Sequence, residues 1–186
     1  MSEDCLYLNI YVQKNSYLNR SRALKPVLVY IHGGAFLDGS SYDFDGSTVA
    51  VMADIVVVTV QYRLNALGFL HAAGTYATGN QGLLDNQMAL RWVAENARSF
   101  GGDSARITVS GESAGAWTVG FLLFMPASWP YFRNAILQSG GVTGISEFYL
   151  FFLTFFVCFI AIRIHIVFIS VRYQRSSKKC LSSKCS

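Results

Sequence analysis

Apolar and polar positions alternate over residues 5–12. Leu6, Leu8, Ile10 and Val12 fall on one side and Tyr7, Asn9 and Tyr11 on the other. That period of two predicts a half-buried strand. A polar stretch follows to about Lys25, and Pro26 marks the next strand start. Residues 27–31 (VLVYI) and 55–60 (IVVVTV) are short apolar runs rich in β-branched side chains, which predicts strands covered on both faces. Residues 106–110 (RITVS) predict a third buried strand and residues 135–138 a fourth. Residues 85–100 read as a helix, because Ala89, Trp92, Val93 and Ala97 recur at helical spacing with Arg91, Glu95 and Arg98 between them. Asp85 or Asn86 is expected to cap it, and Gly101-Gly102 to stop it. Residues 114–124 predict the next helix. Strands alternating with helices predict an α/β fold, a mostly parallel sheet with flanking helices.

Two of the predicted strands end on glycine-rich segments that can carry chemistry. Gly111-Glu112-Ser113-Ala114-Gly115 matches G-x-S-x-G, with a β-branched strand before it and a helix after it. A serine on so tight a strand-to-helix turn holds a strained backbone, and side chains two residues to either side would collide. Glycine at both places removes the collision. The helix N-terminus beneath favours the negative charge that develops at the serine oxygen. The second segment, His32-Gly33-Gly34-Ala35-Phe36, follows directly on the strand at 27–31. A glycine pair there frees backbone N–H groups to point at one oxygen. With the amide of Ala114, Gly33 and Gly34 would form an oxyanion hole. The structural alternative for the pair is a plain glycine turn.

These residues, in this order, resemble the type-B carboxylesterase family, which includes the cholinesterases and many arthropod esterases. The likeness runs through Ser2–Asn9 (SEDCLYLN), Pro26–Phe36 (PVLVYIHGGAF), Gln61-Tyr62-Arg63-Leu64 and Ala66-Leu67-Gly68-Phe69. It continues through Gly79–Asp85 (GNQGLLD), Phe100-Gly101-Gly102-Asp103, Gly111–Gly115 and Phe132–Gly141 (FRNAILQSGG), and covers about residues 1–143. The resemblance implies an α/β-hydrolase fold fragment with Ser113 as nucleophile and Gly33, Gly34 and Ala114 as oxyanion donors. It implies ester hydrolysis through an acyl-enzyme on a small carboxylic ester, with no cofactor and no metal. It also implies that the chain is truncated at both ends. In this fold the triad runs serine, acid, histidine along the chain. After Ser113 come only Glu147 and His165, neither placed as the family would place it. His32 belongs to the oxyanion loop, and His71 reads as a surface or supporting residue. The cysteine that the family pairs with the equivalent of Cys5 lies upstream and is absent. So is the loop that carries the choline-gripping aromatic residue, so no choline substrate is implied.

Charge and composition change the picture mainly at the C-terminal end. Residues 1–145 hold 9 Lys/Arg against 10 Asp/Glu, whereas residues 146–186 hold 6 Lys/Arg against Glu147 alone. The net +4 therefore belongs to the tail, and the body offers no basic face for nucleic acid. The sequence divides into a partial hydrolase domain at 1–145, an apolar segment at 146–171 and a basic Ser/Lys-rich tail at 172–186. From Phe148 to Val171 the chain holds seven Phe and no Gly or Pro, with Arg163 and His165 as its ionisable residues. An apolar C-terminal helix is expected there. Three readings compete for this stretch. Translated non-coding sequence comes first; a helix long enough to cross a bilayer, which would associate the chain with a membrane and leave the basic end on the cytoplasmic side, comes second, and a buried core segment third. Cys180 and Cys185 lack a neighbouring His and do not form a metal-binding pattern. The functional expectation is a carboxylic ester hydrolase, inactive as this truncated chain. The alternative is a non-catalytic, membrane-associated or adhesion-type relative.

Overall fold

The computed structural model describes residues 4–18, 23–141 and 165–169. Its strands are β1 (Leu8–Tyr11), β2 (Lys25–Ile31), β3 (Val56–Val60), β4 (Gly102–Glu112), β5 (Asn134–Gln138) and β6 (His165–Ile169). They form one sheet in the order β1-β3-β2-β4-β5-β6. β1 runs antiparallel to β3, and the other pairings are parallel. The helices are α1 (Lys14–Leu18), α2 (Ser47–Met52), α3 (Asn65–Phe69), α4 (Gln81–Asn96) and α5 (Ala114–Leu123). Single-turn 3₁₀ segments lie at Ala97–Phe100 and Pro126–Tyr131.

The apolar runs explain where the core sits. Val27, Val29 and Ile31 of β2, Val56, Val58 and Val60 of β3, and Ile107 and Val109 of β4 turn to one face. There they meet Leu83, Leu90 and Val93 of α4 and Ala116, Val119 and Leu122 of α5. The opposite face is covered more thinly. α2 and the loop before it lie over Val57, where a Cβ on Gly46 would stand 2.7 Å from the valine side chain. Tyr30 stacks on Phe44 with ring centroids 4.3 Å apart. β2 is therefore not covered equally on both faces, as its composition suggests. Leu28 and Tyr30 are only half-buried, while β3 is buried along its whole length.

α4 begins four residues before the expected start, and neither Asp85 nor Asn86 caps it. Both are buried inside the helix. Asp85 is drawn away from capping by Arg63, just after β3. Its carboxylate accepts from the Arg63 amide (3.0 Å), from Nε (2.8 Å) and from Nη2 (2.7 Å). The Asn86 amide donates instead to the Gly82 carbonyl at 2.8 Å. Two glycines make room for the Arg63 peptide: a Cβ on Gly68 or Gly82 would stand 2.1 or 2.4 Å from its carbonyl oxygen. The far end of the helix is as expected, with Gly101 at φ +78° closing the 3₁₀ turn.

Most of the run from Phe148 to Val171 lies outside the described residues. The part within them, His165–Ile169, is a strand paired with β5. The expected apolar helix as a whole lies outside the described residues. Among the described residues no helix is long and apolar enough to cross a membrane.

The Arg63–Asp85 pair predicts an asymmetry. The Asp85 side chain is 3% exposed and that of Arg63 38%, so losing the arginine strands a buried carboxylate. Arg63→Met should lower unfolding stability by about 3 kcal/mol, whereas Asp85→Asn, which leaves no buried charge, should cost about 1–2 kcal/mol. Urea denaturation of both variants checks this, and the reverse order would refute it.

Candidate active site

The strand order reverses at the pair β2 and β4. From β2 the chain turns toward β3 on one side, and from β4 it turns toward β5 on the other. In open parallel sheets the crevice at such a switch point, beyond the carboxyl ends of the strands, is where ligands bind. Ile31 and Gly111 are neighbours in register at that end. His32-Gly33-Gly34 therefore emerges beside Gly111–Gly115, and the topology brings the two glycine segments together.

Ser113 sits between β4 and α5 at φ 53°, ψ −120°, a conformation costing roughly 1–3 kcal/mol for a residue with a side chain. Several contacts hold it there. Its amide donates to the Gln138 carbonyl at 2.9 Å, and its carbonyl accepts from the Trp117 amide at 3.0 Å. A Cβ on Gly111 would stand 2.3 Å from the Gly115 carbonyl carbon, and one on Gly115 would stand 2.1 Å from the Ile31 carbonyl oxygen. A Cβ on Gly140 would meet the Ser113 oxygen at 2.6 Å. The collisions expected at both elbow glycines are thus backbone collisions, which no rotamer change relieves.

The facing loop lies close. A Cβ on Gly33 would stand 3.2 Å from Ser113 Cβ, and 2.9 Å from both the carbonyl oxygen and Oε2 of Glu112. Gly34, Ala35 and Phe36 all have positive φ (107°, 54° and 63°). The Leu37 and Asp38 amides close this left-handed turn onto the Gly34 carbonyl at 2.9 and 3.1 Å. No turn or loop hydrogen bond among the described residues is donated by the Gly33 or Gly34 amide. Ala114 opens α5, so its amide has no partner within the helix. Phe36 contacts Phe69 (4.9 Å between centroids) and Trp117 (6.1 Å), walling the loop on its apolar side.

His32 is 2% exposed. Its Nδ1–H donates to the Gly33 carbonyl at 2.8 Å, and its ring stacks on Tyr62 at 4.5 Å. Its Nε2 is buried with no hydrogen-bond partner among the described residues. Burial holds this imidazole below its ordinary 6.5, against the opposing pull of the Gly33 carbonyl, Asp43, the neighbouring Gln61 side chain and Asp38. His32 is therefore a neutral structural group. His71 is exposed, in a β-bridge with Thr78. His165 pairs in register with Asn134, whereas Glu112 and Gln138 pair at the other end. Four residues of strand put His165 about 13 Å from the level of Gln138, at the wrong end of the sheet to serve Ser113. Glu112 and Tyr62 are the neighbours of this site to which sequence reasoning assigns no role. The signal for Tyr62 is an aromatic residue with a hydroxyl two positions beyond the end of a fully buried strand.

The family model described as "Carboxylesterase family" matches residues 1–146. Cocaine esterase of Homo sapiens is 47% identical over 140 residues, which is 75% of this chain and 24% of that protein. Acetylcholinesterase of Gallus gallus is 51% identical over 147 residues, 77% of this chain and 18% of the enzyme. Neuroligin-2 of Mus musculus is 44% identical over 162 residues, 78% of this chain and 19% of that protein. The chain spans about a quarter or less of the length of these relatives.

Two predictions test the geometry. Gly115→Ala should lower stability by about 3 kcal/mol, since backbone must move. Gly141→Ala, where the nearest atom is a leucine methyl at 3.8 Å, should change it by less than about 0.5 kcal/mol. Equal effects in thermal melts would contradict the packing described. The second concerns pH. Because the His32 pKa is lowered on folding, the unfolded chain binds more protons below its own pKa. Stability should therefore fall as pH drops from about 6.5, by up to about 1.4 kcal/mol per unit. His32→Asn keeps a donor near the Nδ1 position and removes the titration, so its midpoint should vary less between pH 7 and 5.5.

Proposed function

This chain belongs to the carboxylesterase family, and from that membership we propose that its site is the nucleophile and oxyanion portion of a carboxylic ester hydrolase. The observation that carries the reading is the strained Ser113, at φ 53°, facing a loop in which the Gly33 and Gly34 amides donate no turn or loop hydrogen bond among the described residues. In the parent reaction Ser113 Oγ attacks the ester carbonyl carbon and passes its proton to a base, which returns it to the departing alcohol. The carbonyl oxygen becomes an oxyanion held by the amides of Gly33, Gly34 and Ala114. Collapse expels the alcohol and leaves the acyl group on Ser113, and water then releases the acid.

The proton needs an acceptor. The described residues after Ser113 contain one histidine, His165, and no carboxylate, and His165 begins a strand at the far end of the sheet. An oxyanion hole and substrate binding alone retain about 10³–10⁴-fold over the uncatalysed reaction in serine hydrolases stripped of their triad. On this reading Ser113 takes up activated reagents, and no base among the described residues supports turnover.

A non-catalytic, adhesion-type reading remains as the second one, because identity to the esterases and to neuroligin-2 is similar. Retention of a serine in a costly conformation favours the enzymatic ancestry, since a binding surface gains nothing from that strain. The test is mass spectrometry of the chain after exposure to an alkyl fluorophosphonate. One adduct per chain is expected, mapped to Ser113 and lost in Ser113→Ala, with no sustained hydrolysis of aryl acetates. Adducts spread over other serines, with Ser113 no faster than the rest, would sink the proposal.

A further inference from the structure

Just past β3 the chain passes under the loop that follows β2. Tyr62, 2% exposed, touches that loop twice. Its ring stacks on the His32 imidazole with 24° between the planes, and its hydroxyl donates to the His32 carbonyl at 3.0 Å. The parallel ladders of β2 end at Ile31, opposite Val60 and Gly111. The His32 carbonyl thus has no strand neighbour, and the phenol supplies the donor that the next ladder residue would have supplied. That carbonyl also abuts the elbow, at 2.8 Å from a Cβ built on Gly115.

The residues around Tyr62 hold the same loop further along. Gln61 Nε2 donates to Ser40 Oγ at 3.1 Å, and Gln61 Oε1 accepts from the Ser41 amide at 3.2 Å. The Asn65 amide donates to the Phe36 carbonyl at 2.7 Å. Arg63, between them, is anchored on Asp85. A segment this well fixed is a rigid base on which the glycine loop can be set.

Resting on the reading of Gly33 and Gly34 as oxyanion donors, we propose that Tyr62 is a positioning residue for them: its ring and hydroxyl fix His32, so the two following amides stay directed at the oxygen that develops beside Ser113. Phenylalanine would bury the same ring and stack as well on the imidazole. The hydroxyl is needed only to satisfy the His32 carbonyl, and burial raises its pKa above the ordinary tyrosine value, so it remains a donor at any working pH.

The experiment compares the full chain with Tyr62→Phe and Tyr62→Leu. Amide hydrogen exchange is followed over residues 31–37 and, as reference, over α4. In Tyr62→Phe, exchange at Leu37, whose amide closes the loop onto the Gly34 carbonyl, should rise about tenfold with α4 unchanged, and Tyr62→Leu should raise it further. In the same samples the maximal rate of Ser113 modification by an alkyl fluorophosphonate should fall, with the half-saturating concentration unchanged. Unaltered exchange at 31–37 in Tyr62→Phe would overturn the proposal. So would an equal rise in α4, which marks a general loss of stability. If Ser113 of the unaltered chain takes no fluorophosphonate, the nucleophile assignment fails, and loop exchange still decides whether Tyr62 sets the loop.

Discussion

Ile31, at the end of β2, lies so close to Gly115, at the start of α5, that a Cβ on the glycine would stand 2.1 Å from the Ile31 carbonyl oxygen. That approach lets β4 turn into α5 within a single residue. The turn leaves Ser113 the one side chain that can occupy the bend, and forces it to positive φ. The same approach places the loop after β2 against Ser113, because the chain continues from Ile31 directly into His32 and Gly33. Ser113 and the loop that faces it are thus set by one packing contact between backbones. A methyl group there would displace both together, which is why the two glycine segments act as a unit although about 80 residues separate them in the chain.

The chemistry of the sheet changes along its strands to suit this. Toward their middles the strands carry valine and isoleucine packed on α4 and α5. At the carboxyl ends the buried residues turn polar: His32, Tyr62 and Ser110 are all nearly inaccessible. Each buried polar group beyond the ladder needs its own partner, and the segment after β3 supplies most of them. Tyr62 serves the His32 carbonyl, Gln61 serves Ser40 and Ser41, and Arg63 is itself held by Asp85. The polar layer is therefore anchored from the core side, through a charged pair between the end of β3 and the body of α4.

How much of this was legible in the sequence depended on the range of the interaction. β3, β5 and α5 follow from local composition, and their observed limits fall within a residue of those expected. The elbow and the glycine pair were legible for the same reason, since their steric requirement is confined to five consecutive residues. The errors arise where a distant partner overrides a local preference. Asp85 has the chemistry of a helix cap, but Arg63, 22 residues earlier, claims its carboxylate and α4 starts without it. β2 has the composition of a strand covered on both faces, yet α2 and its loop cover the second face thinly. α1, α2 and α3 are five or six residues long, too short for a helical period to show. Tyr62 was visible as a residue but not as a contact, because its partner lies 30 positions away.

The division of labour along the chain has a chemical consequence. Ser113 and the glycine loop that faces it come from the switch point, where the turns after β2 and β4 meet, and they come together once those two strands are adjacent. A base has no such local origin. It must arrive at the same end of the sheet, above the carboxyl ends of the strands, within hydrogen-bond reach of Ser113. Neither histidine that lies outside the glycine loop and among the described residues meets that condition: His71 sits in an exposed bridge with Thr78, and His165 begins its strand at the opposite end. On the proposed reading, stabilisation of the tetrahedral state and proton transfer are thus separable in this fold. The first rests on local backbone geometry, while the second depends on bringing one more side chain to the sheet's carboxyl end.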